Sequence, residues 1–171
     1  YTGPIYATVA TTKLCDIMLR DSAHIQEFEA EWRNRKAKRS GAAPYVPLYT
    51  SEDVANTMPL FKGCDYKKTY DIFDGIKIRF IDAGHLLGSS SIEITVNENG
   101  TSKTVLFSGD IGNVSRPLIR DPEKPDKADY VIIESTYGDR LHQVDEKPDY
   151  AADLAKVIDE TLGRGGNVVI P

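Results

Sequence analysis

Up to about residue 70 the apolar positions of the chain recur at helical spacing, and beyond it they alternate with polar ones or run together. Ile5-Tyr6-Ala7 reads as a short strand, after which Thr11 or Thr12 can cap a short helix carrying Leu14, Ile17 and Met18. Asp21 or Ser22 then caps a longer amphipathic helix with Ile25, Phe28 and Trp32 on one face. This helix runs into the basic stretch Arg33 to Arg39 and stops at Gly41 and Pro44. Thr50-Ser51-Glu52-Asp53 opens a further helix with Val54 and Met58 that ends near Pro59 to Phe61.

After Tyr70, Ile76 to Ile81 and Ser91 to Val96 alternate as strands, and Asn97-Glu98-Asn99-Gly100 turns a hairpin into Thr104 to Phe107. A charged, Pro-containing connection, Arg116 to Asp129, precedes Tyr130 to Ile133, an unbroken apolar run that suits a strand covered on both faces. A helix from about Asp149 to Leu162 ends at Gly163, and Asn167 to Ile170 reads as one more strand. A strand-rich middle flanked by helices predicts layered α/β architecture.

A length of 171 residues suits one domain with a sizeable core, or a piece of something larger. Apolar residues make up 40% and charged residues 27%, with a mean hydropathy of -0.37, the balance of a chain that folds in water. The longest uncharged apolar runs are a few residues, against the roughly 18 that a membrane helix needs, so no membrane partner is expected. The first residues, Tyr1 to Tyr6, carry no secretory signature, and the only cysteines, Cys15 and Cys64, form no C-x-x-C pair; a cytoplasmic setting is expected. Ten Lys and Arg stand against eight Asp and Glu in residues 1–70, and eleven against eighteen thereafter, so net charge announces no polyanion-binding chain.

Three polar signatures follow expected strands: Asp82-Ala83-Gly84-His85-Leu86-Leu87-Gly88-Ser89, Phe107-Ser108-Gly109-Asp110-Ile111-Gly112, and Glu134-Ser135-Thr136-Tyr137-Gly138. Strand ends commonly build sites, so the three imply a shared edge. Glycines around His85 permit tight turns and close approach to a metal, although a surface or capping histidine fits the same pattern. Asp110, bracketed by Gly109 and Gly112, can serve as a metal carboxylate or as the pivot of an Asx-turn. Glu134, beside an apolar run, needs a partner to stay charged, in a site or in a structural ion pair.

Taken together and in this order, the three signatures resemble the third and fourth metallo-β-lactamase motifs and the first β-CASP motif. The family so resembled is the β-CASP group of metallo-β-lactamase-fold RNA nucleases, which includes the nuclease subunit of the cleavage and polyadenylation specificity factor and its bacterial relatives. Gly3 to Thr12 and Asp21 to Glu27 extend the likeness over essentially the whole chain. The resemblance implies a partial αββα sandwich over residues 1–145 and the opening of a β-CASP domain over 146–171. It further implies that His85 binds one zinc, that Asp110 bridges two, and that Glu134 orients a histidine acting as general acid. Two zinc ions roughly 3.5 to 4 Å apart share a hydroxide acidic enough to attack phosphorus.

The family's principal metal motif, His-x-His-x-Asp-His, is absent, and the chain has only three histidines: His24, His85 and His142. A two-zinc site needs more donors than His85 and Asp110. The expectation is therefore a piece of a longer zinc-dependent ribonuclease, inactive and with weak zinc affinity by itself, whose parent acts on RNA and is compatible with a homodimer. Two alternatives stay open: a non-catalytic paralogue that binds RNA or a partner, and a DNA-directed relative. His24 is assigned a structural or surface role, and His142 is left unassigned. Arg33 to Arg39 could touch phosphates, but without interleaved aromatic residues it reads better as a solvated helix end.

Overall fold

A computed structural model describes residues 1–37, 43–139 and 149–170. Contacts divide the chain into two units, Tyr1–Glu134 and Ser135–Pro171. The domain boundary expected at residues 145/146, like Arg140 and His142, lies outside the described residues.

The first unit opens with β1 (Ile5–Thr8), followed directly by α1 (Val9–Ala37). Instead of two helices there is one of 29 residues, with Asp21 and Ser22 inside it. The residue that caps it is Thr8, whose hydroxyl accepts the Thr11 amide at 3.1 Å, three residues upstream of the expected Thr11. Polar residues that could start a helix do not interrupt one already propagating, since each further residue adds a hydrogen bond. The face carrying Ile25, Phe28 and Trp32 is exposed, and Ala23 and Ala30 are the residues that α1 buries.

The α2 helix (Ser51–Thr57) starts as expected at Thr50, whose hydroxyl takes the Asp53 amide while the Asp53 carboxylate takes the Thr50 amide at 2.8 Å. A 3-10 turn, Met58–Leu60, leads into β2 (Phe61–Cys64), which pairs in parallel with β1. The β2 strand was not apparent in the sequence, because Lys62 and Gly63 break its alternation.

A five-stranded sheet follows, in the order β3 (Thr69–Phe73), β4 (Ile76–Asp82), β5 (Ser90–Glu98), β6 (Thr101–Phe107), β7 (Tyr130–Ile132). The first four strands are antiparallel, and Asn99-Gly100 turns the β5–β6 hairpin with both residues at positive φ, as such turns require. β7 returns in parallel beside β6 after a long connection. Ile78, Phe80 and Cys64 form a buried core, with Tyr66, Ile92 and Ile94 packed on it. The apolar run of β7 is not covered on both faces: Tyr130, Val131 and Ile132 are 59%, 56% and 54% exposed. β7 is the sheet's edge strand, with β6 as its ladder neighbour among the described residues.

The second unit contains α3 (Tyr150–Gly163), capped by the Asp149 carboxylate on the Ala152 amide at 3.1 Å. Asn167 to Ile170 is not a strand there, and Val169 and Ile170 are exposed. An extended apolar segment becomes a strand only with a ladder partner, and none is present among the described residues.

Candidate functional site

The alternation of strand direction decides where the three polar signatures meet. β4, β6 and β7 run the same way and β5 runs opposite, so the ends of β4, β6 and β7 lie on one edge of the sheet. That edge carries the loops of His85, Asp110 and Glu134.

The His85 loop is a tight structure built on serines and glycines. Asp82, 8% exposed, accepts the Gly84 amide at 3.0 Å, and the Ser89 hydroxyl oxygen accepts the His85 and Leu86 amides at 3.1 Å each. Gly84 takes φ +62°, and a Cβ there would run into Pro122 and the Arg120 carbonyl, so glycine is required twice over. From below, Thr8 ties the loop to the start of α1, its buried hydroxyl 2.9 Å from the Gly88 carbonyl. The His85 side chain is left exposed.

The Asp110 loop rests directly against it. The Gly112 amide donates to the Ala83 carbonyl at 2.8 Å, and a Cβ on Gly112 would overlap the Gly84 carbonyl and come within 2.6 Å of the His85 amide nitrogen. Ser108, 4% exposed, joins the strands underneath. Its carbonyl accepts the Ser91 hydroxyl at 2.7 Å, its amide donates to Ile132 at 2.9 Å, and its hydroxyl oxygen accepts the Glu134 amide at 3.0 Å. The half-buried Glu134 then reaches back, Oε1 accepting the Ile111 amide at 2.6 Å. Charge-assisted bonds of this kind are the strong ones. The backbone carrying His85, Asp110 and Glu134 is thus brought together through residues immediately beside each of them.

A cleft of about 420 Å³ opens beside this edge, lined among others by Lys13, Tyr66, Leu86 and Arg120. Tyr66 donates to the Ser89 carbonyl at 2.8 Å, and burial first, then the nearby Asp82 carboxylate, push its phenol above the ordinary tyrosine range. It stays neutral and fixes the loop.

Among the described residues no group of three or more His, Cys, Asp or Glu side chains could hold a metal ion. His85 and Asp110 offer one nitrogen and one carboxylate, short of the four donors of a structural zinc and the three of a catalytic one. These residues alone do not fit the ion. His24 is exposed on α1 and lines a separate cleft with Phe28 and Tyr45. Sequence reasoning passed over Thr8 and Ser108; a small hydroxyl residue at a strand end, where amides lose their ladder, is the signal that could have found both.

No protein-family model matches the chain. It is 30% identical over all 171 residues to "Ribonuclease TTHA0252" of Thermus thermophilus, of which it covers 34%. It is 37% identical over 124 residues to an "RNase J-like protein" of Methanocaldococcus jannaschii, an alignment taking in 72% of this chain and 28% of that protein. The "Transcription termination factor FttA" of the same archaeon is 33% identical over the full chain, with 25% of its length covered. The chain therefore spans about a third or less of the length of these curated relatives.

Proposed function

Because the chain belongs to the β-CASP metallo-β-lactamase nucleases, we propose that the whole protein of which these residues form part hydrolyses RNA phosphodiester bonds. The observation that carries this reading is the meeting of the His85, Asp110 and Glu134 loops at one sheet edge, in a chain similar to ribonucleases over its full length. On the same reading, the sheet and helices belong to a metallo-β-lactamase αββα sandwich continued into a β-CASP domain.

His85 and Asp110 are proposed as two donors to a pair of zinc ions whose remaining donors would have to come from outside the described residues. Bound there, the ions would supply a metal-activated hydroxide and charge neutralisation at phosphorus. The residues of this chain position. Glu134 holds the backbone next to Asp110 through the Ile111 amide, and is also proposed to orient a histidine that protonates the leaving oxygen. Ser108 and Ser89 keep the two loops in fixed register. Two free thiols, Cys15 and Cys64, support a cytoplasmic setting.

The test is cleavage of matched end-labelled RNA and DNA strands by the whole protein and its Asp110→Ala variant. Asp110→Ala is expected to lower RNA cleavage by roughly a hundredfold or more, the scale on which removal of a catalytic group acts. Cleavage unaffected by Asp110→Ala, or DNA cut in preference to RNA, would overturn the reading. A folded whole protein that binds RNA without cutting it would favour the alternative reading, a non-catalytic paralogue that binds RNA or a partner.

A further inference from the structure

The basic stretch at the end of α1 contains no aromatic residue, yet Trp32 directly precedes it and the fold brings Tyr45 to it. Asn34 grips the main chain of Tyr45, its Nδ2 donating to the carbonyl at 2.9 Å and its Oδ1 accepting the amide at 2.7 Å. Gln26 accepts the Leu48 amide at 3.2 Å, and Glu27 accepts the Ser51 amide at 3.0 Å. These bonds strap segment 45–50 and the first residue of α2 along α1 and deliver the Tyr45 ring to Arg33, whose guanidinium carbon lies 4.5 Å from the ring centroid. On the same stretch of helix, Lys36 Nζ lies 3.7 Å from the Trp32 ring centroid. Neither ring is shut away: Trp32 is 47% and Tyr45 41% exposed.

Cations and aromatic planes are therefore interleaved. Glu29 holds Arg33 at 2.5 Å, which orients the guanidinium and offsets part of its charge, while the Arg33 side chain keeps 47% exposure. A guanidinium stacked on one aromatic ring can take a nucleobase on its other plane, and indole does the same beside an ammonium that meets phosphate. The adjoining cleft, about 520 Å³ and lined by Phe28, Glu31, Asn34 and Tyr45, has room for a base, and a carboxylate such as Glu31 accepts base amino groups.

We propose that this surface of α1 and its strap is a docking site for single-stranded RNA, separate from the His85 edge. The proposal rests on the reading of RNA as the substrate and adds a second contact for it. A duplex would leave the rings idle, because its bases are already stacked.

The experiment measures fluorescence anisotropy of a labelled single-stranded RNA of about 15 nucleotides, within the span of ordinary single-strand sites. It uses the whole protein in an Asp110→Ala background, with a duplex of the same sequence and heparin as comparison probes. Trp32→Ala is expected to weaken single-strand binding at least fivefold and to leave heparin binding unchanged. Lys36→Gln is expected to weaken both and to lower the salt dependence. Should Trp32→Ala fail to give a native circular dichroism spectrum, Arg33→Gln and Lys36→Gln, which alter exposed side chains, carry the test with an expected threefold loss each. Unchanged single-strand affinity in folded variants overturns the proposal, as does a loss for heparin equal to that for RNA in Trp32→Ala. Loss of a protein partner at constant RNA affinity overturns it in favour of a protein-docking face. Cleavage is scored separately in the Asp110 background's parent, so failure of the nuclease reading is distinguishable from failure of this site.

Discussion

Glu134 and Ile111 are joined by a 2.6 Å hydrogen bond from the Ile111 amide to the Glu134 carboxylate. Ile111 directly follows Asp110, and Glu134 ends the segment that leaves β7, so the bond ties two neighbouring strand ends beside Asp110. A hydrogen bond to a charged group contributes about 1.5 to 3 kcal/mol. Glu134→Ala is expected to raise amide exchange in the 108–112 loop roughly tenfold or more, the ratio that about 1.4 kcal/mol sets. Glu134→Gln, which keeps an acceptor oxygen, should raise it less. Hydrogen exchange read by mass spectrometry checks this, and equal protection in all three proteins would remove Glu134 from its positioning role.

The contact of Gly112 with Gly84 makes a second prediction. Backbone cannot move aside for a methyl group as a flexible side chain does, so Gly112→Ala should destabilise by about 2 kcal/mol or more, at the upper end of overpacking costs. Gly163→Ala makes the comparison. It has open space around it at the end of α3 and should be neutral or slightly stabilising, by up to about 0.5 kcal/mol. Urea midpoints of the two variants should move in different directions or by very different amounts.

Thr8 couples the start of α1 to the His85 loop. Its side chain is 2% exposed and serves the Thr11 amide and the Gly88 carbonyl at once. Thr8→Val keeps the shape and removes the hydroxyl, which should cost about 1 to 2 kcal/mol for the cap, with a further penalty for the stranded amide. Thr8→Ser should recover most of that loss. Thermal melts of the three proteins decide it, and a Thr8→Val protein as stable as the parent would contradict the assignment.

Asp129 anchors the entry to β7. The Lys103 ammonium at 2.7 Å, and after it the Thr104 amide at 2.8 Å, hold its carboxyl below the ordinary aspartate range. A depressed folded-state value means stability that is present above the unfolded pKa and lost as pH falls through the folded one. Asp129→Asn should therefore lower the melting temperature near pH 7, and the difference should vanish as pH falls through the carboxyl's depressed folded-state value. A gap between parent and variant that persists in acid would show that the carboxylate charge is not what matters.

Strands β4 to β6, the Asn99-Gly100 hairpin and the caps at Thr50 and Asp149 were all legible in the chain, because each depends on neighbours in sequence. The single long α1, the exposed edge of β7 and the lack of a ladder partner for Asn167 to Ile170 among the described residues were not. Each turns on what lies alongside, and a periodic or apolar run states an affinity for cover without saying whether cover is there. The candidate site divides the same way. His85, Asp110 and Glu134 stood out as polar residues among glycines at strand ends, but nothing local indicated that Thr8 and Ser108 would fasten their loops.

By itself the sequence determined which residues could do chemistry and what kind of element each would follow, since propensity, alternation and turn residues act over a few positions. The tertiary structure alone decided that three strands would end on one edge, that Gly112 would lie against Gly84, and that Tyr45 would reach Arg33. Those outcomes depend on strand order, register and a strap of side-chain hydrogen bonds. They link residues far apart in the chain, and only closing the fold brings such residues within reach of one another.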